Sequence, residues 1–194
     1  MRLFFLLSGI VLLSSVNAQK RKSGFEEGLM PTTDSVVIYS GVVRVSDSAS
    51  KDILYERAKR FFVEIYKSAN DVIQLDDKIN GEIIGKGIFK VSMNMGIIGS
   101  QPTSVYHTLS IAVKDGRYRY EIKDLIVDYY SEGSRIGSSY IPGNQVHSPI
   151  EAYLSSKMNV HRRYCEAVDA EVKLTITALE NAMNKILTTK KNDW

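Results

Sequence analysis

Between His107 and Asp124 the chain alternates apolar and polar residues on either side of an Asp115-Gly116 pair, a dipeptide that can supply the positive φ angles of a type I′ turn. If Lys114 faces Arg117, Val113 meets Tyr118, Ile111 meets Tyr120 and Leu109 meets Ile122 on one face. Ala112 with Arg119, Ser110 with Glu121 and Thr108 with Lys123 share the other. A slip of one residue would bury the charges and expose the aliphatics, so the register is strongly specified. The segment predicts half-buried antiparallel sheet with an open outer face.

Around this hairpin the period of the apolar residues changes twice. Val36 to Val45 is rich in β-branched residues and predicts a first strand, with Gly41 marking a bulge. From Ser50, a capping residue, Leu54, Ala58, Phe61 and Ile65 recur at helical spacing with Phe62 and Tyr66 beside them; Glu56 and Arg60 form an i,i+4 pair on the charged side. Asp71 to Asp76 and Glu82 to Met95 read as two strands around Asn80-Gly81. On the second of them Gly85 and Gly87 leave a dent in an otherwise apolar face, where another backbone or a ligand can sit. Gly96 to Thr103 reads as a loop holding the apolar pair Ile97-Ile98, and Ser131 to His147 as a long turn-rich excursion. Ser148-Pro149-Ile150-Glu151 is a helix-start signature. Cys165, Val168, Val172, Ile176, Leu179, Met183 and Ile186 then keep helical spacing, with Met158 to Arg163 as a possible interruption.

The first 18 residues read as an address. Met1-Arg2 is a positive start, Leu3 to Leu13 an apolar run and Val16-Asn17-Ala18 a small-residue exit. As a helix the run rises about 16 Å, well short of the roughly 30 Å hydrocarbon core, so a cleaved export signal is expected and the mature chain begins at Gln19. Residues 19–34 read as a flexible lead-in, 35–189 as one domain and 190–194 as a frayed tail. No later stretch reads as a transmembrane helix, and the periplasm or cell envelope is the expected location. Cys165 is the single cysteine, so no intramolecular disulfide can form and a sizeable core must serve instead. The net charge of +3 is too small to argue for nucleic acid.

Strand, helix, four antiparallel strands and a terminal helix make an α+β domain, β-α-β-β-β-β-α. A curved antiparallel sheet carries the long C-terminal helix on one face, a helix-grip or saddle arrangement. Three runs also carry a resemblance: Ser50–Phe62 (SKDILYERAKRFF), Val72–Asp77 with Asn80–Gly87 (VIQLDD, NGEIIGKG) and Val113–Tyr120 (VKDGRYRY). Over Val36 to Asp128 the chain resembles a family of secreted Bacteroidetes domains of unknown function assigned a TBP-like fold. The resemblance implies that layout and an exported protein, and it implies no activity or catalytic residues. Ser131 to His147 departs from it.

Chemistry is sparse. Three histidines, at 107, 147 and 161, have no HExxH spacing and no partner cysteines, so no zinc site and no cofactor are expected. Gly81 to Gly87 lacks the spacing and the hydroxyl of a phosphate loop, and Asp76 to Gly87 lacks two ligands of a calcium loop. Extending the hairpin by one pair sets His107 opposite Asp124, an imidazole beside a carboxylate that can work as a general base. The bland alternative is a polar pair closing the core. Among eleven tyrosines, Tyr118 and Tyr120 are expected on the covered face and Tyr140 near the rim, suited to flat ligands. The favoured reading is an exported, non-catalytic binding or interaction module. It takes a small apolar ligand or a segment of an envelope protein through Gly85, Gly87, Tyr118, Tyr120 and Tyr140. A hydrolase-like enzyme using His107 with Asp124, or a purely structural envelope protein, are the alternatives.

Overall fold

A computed structural model describes residues 28–66, 69–94, 100–131 and 133–185. The export signal, residues 19–27 of the lead-in, Ile97-Ile98, Ile186 and the 190–194 tail lie outside the described residues. A small hairpin of β1 (Thr32–Thr33) and β2 (Val36–Val37) comes first, turning through Asp34 and Ser35, both at positive φ; Met30 before it is buried. Then follow β3 (Tyr39–Arg44), α1 (Lys51–Tyr66), α2 (Ala69–Val72), β4 (Ile73–Asp77), β5 (Glu82–Asn94), β6 (Ser100–Lys114) and β7 (Arg117–Ser131). After β7 come β8 (Ser134–Ile136), β9 (Ser139–Ile141), β10 (Asn144–Pro149), α3 (Ile150–Leu154) and α4 (Asn159–Asn184).

One six-stranded antiparallel sheet runs β10-β7-β6-β5-β4, with β3 also on β7. The predicted hairpin register holds pair for pair from Lys114↔Arg117 to Thr108↔Lys123. Beyond it β7 has one residue more than β6: Tyr106 pairs with Ile126, and Asp124 adopts φ +55°. That bulge, with a short polar residue in the left-handed region, also divides the far edge of β7. Residues 117–122 pair with β3 and residues 126–131 with β10. The Ser131–His147 excursion is thus largely sheet: β8 and β9 form a hairpin and β10 returns to the edge. Part of the Gly96–Thr103 loop is strand as well, since β6 begins at Ser100. Gly41 marks no bulge, for β3 keeps continuous register; it clears space for the Tyr120 ring, whose Cε1 would stand 2.8 Å from a Cβ there.

The apolar face is roofed by α1 and α4, which pack side by side. Along α4, Cys165, Val168, Val172, Leu179 and Met183 are buried as the spacing predicts, and Ile176 is partly buried. Each full burial of a valine- or leucine-sized side chain contributes roughly 1.5–3 kcal/mol before the entropy of ordering is counted. The helix break falls at Ser155–Met158, just ahead of the expected interruption. In α1, Leu54, Tyr55, Ala58, Phe61 and Phe62 face the core while Ile65 is 40% exposed. Glu56 pairs with Lys78 of the β4–β5 turn at 2.8 Å and not with Arg60. The first turn of α1 is capped chiefly from a distance: the Lys51 amide donates to Asp115 Oδ1 at 2.7 Å, whereas Ser50 Oγ accepts from Ile53 at 3.5 Å. Glu151 does not complete a capping box either; its Oε1 accepts from the Val37 amide at 2.8 Å and ties α3 to β2.

Buried Arg57 locks the two helices to the β3–α1 turn. Its Nη2 lies 2.5 Å from Asp47 Oδ2, and Nη1 donates to the Met183 carbonyl at 2.7 Å, in the last turn of α4. A guanidinium there satisfies a terminal carbonyl and opposes the negative end of the helix dipole. The hydrogen bond from Arg57 to Asp47 holds that carboxyl below the usual carboxylate range. On β3, Tyr39 donates to Asp169 Oδ1 of α4 at 2.8 Å, a second polar tie across the core.

Candidate functional site

On the helix side, the glycine dent is filled. Gly85 and Gly87 point inward from β5 towards Phe62 and Tyr66 of α1; a Cβ at Gly85 would come 2.5 Å from the Phe62 ring, and one at Gly87 would enter the Tyr66 ring. Aromatic side chains of the neighbouring helix occupy the space, and neither a second backbone nor a ligand has room there. Gly87→Ala is expected to cost about 1–3 kcal/mol, the usual range for overpacking. The same substitution made in a Tyr66→Ala background should cost much less, a coupling that a double-mutant cycle by urea unfolding reads directly. Equal costs in both backgrounds would show that the ring does not set the requirement for glycine.

His107 sits in register with Gly87 and is 2% exposed. Its Nε2 is 2.6 Å from the Tyr66 hydroxyl, and the Phe89 and Tyr66 rings lie 4.9 and 5.7 Å away, centroid to centroid. Burial pushes the imidazole down to about 4, against a weak opposing pull from the Val105 backbone, and pushes the Tyr66 phenol up. The ring is therefore neutral at pH 7, and the tautomer we assign has Tyr66 donating to Nε2. Asp124 is exposed at the bulge, and Leu125, 1% exposed, takes the inward position beside His107. The structure does not bring His107 and Asp124 together, because the extra residue of the bulge turns the carboxylate away from the face that buries the imidazole. A neutral, enclosed histidine bonded to a phenol lacks the carboxylate that the general-base reading required.

The tyrosines do not form one surface. Tyr118 is 1% exposed beneath the α4 roof, its phenol pushed up by burial and then by Glu180. Tyr120 is half-buried over Gly41, and Tyr140 lies exposed on the β8–β9 hairpin against Gly133. Two of the three are packing elements of the core side.

The opposite face of the sheet is open, with no helix on it among the described residues. Ile88, Tyr106, Ile126 and Pro149 stand in register across β5, β6, β7 and β10, with Ile88 49% and Tyr106 37% exposed. Beside them runs the row Lys90, Ser104, Asp128 and His147. Gln145 donates to Asp128 Oδ1 at 2.6 Å, and the His147 ring lies 5.9 Å from that of Tyr106. At the far end of the face, Arg44, Arg117 and Lys114 form another row, around a shallow concavity of about 450 Å³ also lined by Val45, Ser48, Asp115 and Gly116. The hairpin register already sets Lys114 against Arg117, a visible like-charge pair. That β3 would bring Arg44 to the same row is not readable from local pattern. No group of three or more His, Cys, Asp or Glu placed to hold a metal occurs among the described residues, and none of the helices is long and apolar enough to cross a membrane.

Comparison with known proteins agrees with this architecture. A TBP-like protein from Parabacteroides distasonis superposes with a TM-score of 0.62 at 15% identity, covering 81% of this chain and 98% of its own. A DUF4468 family protein from Bacteroides ovatus gives a TM-score of 0.61 at 14% identity, covering 86% and 97%. At such identities the likeness speaks for the fold alone. No curated protein matches the chain. The family model that matches, a domain of unknown function (DUF4468) with TBP-like fold, spans residues 39–127, from β3 to the middle of β7.

Proposed function

We propose that this chain is an exported, non-catalytic binding module that holds a segment of an envelope protein against the open face of its sheet. The carrying observation is the contrast between the two faces. Phe62 and Tyr66 fill the helix side down to the glycines, while the row Ile88, Tyr106, Ile126 and Pro149 stays accessible across four strands. Three strand spacings of about 4.8 Å make this strip roughly 14 Å long. A flat strip of that size suits an extended chain segment better than a small apolar ligand, which needs enclosure. Export rests on the positive start, the short apolar run and the Val16-Asn17-Ala18 exit.

A photo-crosslinking amino acid at Lys90, beside the strip, should trap a defined partner from intact cells, and Tyr106→Glu should abolish the adduct. The same probe at Leu174, exposed on α4, should give none. Equal labelling from both positions, or an adduct indifferent to Tyr106→Glu, would refute the assignment of the face. Amino-terminal sequencing of the cell-derived protein should begin at Gln19; an intact Met1 would refute export by cleavage.

A further inference from the structure

Arg117 is the registered partner of two other cations at once. It pairs with Arg44 on β3 and with Lys114 across the hairpin, so three positive side chains stand in one row on the open face. Neighbouring strands are about 4.8 Å apart, which places the three charged stems within roughly 10 Å. Like charges directly opposite one another across strands are destabilising. Among the described residues none of the three is ion-paired, and the one carboxylate that lines the same concavity is that of Asp115. Asp47 holds Arg57, and Asp115 accepts from the Lys51 amide. Arg119 stands two residues along on the same face and adds to the field.

The floor of the concavity is fixed. The Val45 amide donates to the Gly116 carbonyl at 3.0 Å, and the Gly116 amide to the Ala49 carbonyl at 2.9 Å, joining the β3–α1 turn to the hairpin tip. Both Ser48, at φ +49°, and Gly116, at φ +70°, hold left-handed backbone there. A rigid floor limits what ordering costs a ligand. Two guanidinium forks and an ammonium present more donors than a single carboxylate can occupy. They match an anion with several oxygens and a double charge, and guanidinium favours phosphate for its planar, two-point geometry. A volume of about 450 Å³ is larger than one phosphate and leaves room for the group that carries it.

We propose that Arg44, Lys114 and Arg117 bind a phosphomonoester group, borne by a small molecule or a lipid headgroup. The site is independent of the apolar strip: Lys114 lies eight residues from Tyr106 along β6, about 26 Å at strand rise.

Thermal unfolding of the purified chain in low salt, with and without pyrophosphate, tests the assignment. Pyrophosphate should raise the midpoint, whereas sodium chloride at matched ionic strength should not. Arg117→Gln should weaken the response at least tenfold in concentration while the ligand-free variant unfolds no lower than the parent, because a like-charge contact is relieved. Lys157→Gln, outside the row, should keep the response. Flotation with phosphatidylcholine vesicles, with and without phosphatidic acid, separates the sources. Flotation lost in Arg117→Gln identifies a headgroup, and a pyrophosphate response without flotation identifies a soluble phosphorylated ligand. An undiminished response in Arg117→Gln, a response reproduced by chloride, or neither response nor Arg117-dependent flotation would overturn the proposal.

Discussion

Arg57→Ala is expected to lower the thermal midpoint by roughly 10 °C, the counterpart of about 3 kcal/mol in a chain of this size. The side chain is 3% exposed and bonds to Asp47, ahead of α1, and to the Met183 carbonyl, near the end of α4. Alanine would remove most of a buried side chain flanked, one turn away on either side along α1, by the buried Leu54 and Phe61. It would also remove the guanidinium donor that the Met183 carbonyl accepts from. Two further variants separate these effects. Arg57→Met keeps most of the volume and loses the cap; Arg57→Lys keeps the charge but cannot fork to two partners at once. Urea unfolding should order stability as parent, then Lys or Met, then Ala. An alanine variant within 1 kcal/mol of the parent would mean that α4 ends equally well without this contact.

Acidification should weaken the fold well before its carboxylates protonate. The His107 value is lowered by burial to about 4, against roughly 6.5 for an exposed imidazole. Between those values the unfolded chain binds the extra proton and the folded chain does not, so stability rises with pH across the window. The stabilisation is complete above about pH 6.5 and is lost as pH falls towards 4, by about 3 kcal/mol in all. The groups held below the usual carboxylate range, Asp47, Asp76 and Asp77, act with the same sign in a lower window of pH. Their contributions disappear only as pH falls below about 3.8, so the two losses are separable in a titration of unfolding free energy. His107→Gln should flatten the curve between pH 6.5 and 4 and leave the lower limb in place. A parent curve already flat there would show that the imidazole is solvated.

Local pattern carried the reading of the sheet a long way. Asp115-Gly116 and the strict alternation around it determine the register of β6 on β7 as far as Thr108↔Lys123. The α4 stripe from Cys165 to Met183 is likewise a matter of period alone. The reading fails one residue further on, at His107. A bulge is a choice between two nearly equivalent pairings, settled by what each side chain meets in three dimensions, and Asp124 carries no local mark that it will adopt φ +55°. Distance explains the other misses. Whether Gly85 and Gly87 face a ligand or an aromatic ring depends on where α1 lands, and Phe62 and Tyr66 look like ordinary helix-face residues until it does. Glu151 has the spacing of a capping box, yet a strand 114 positions away in sequence offers its carboxylate a better donor. Arg57 was invisible for the opposite reason, since a charged residue on an amphipathic helix is normally assigned to solvent.

Dividing one margin of β7 between β3 and β10 has a mechanical consequence. The stretch that anchors core register and the stretch that receives the returning segment are separate berths on a single spar, parted by the kink at Asp124. Length or sequence can drift in the β8–β9 hairpin and in β10 without dragging on the pairs that align Tyr118 and Ile122, since no amide of the first berth depends on an acceptor in the second. The match to the family model stops at residue 127, two residues into the second berth, where that freedom begins.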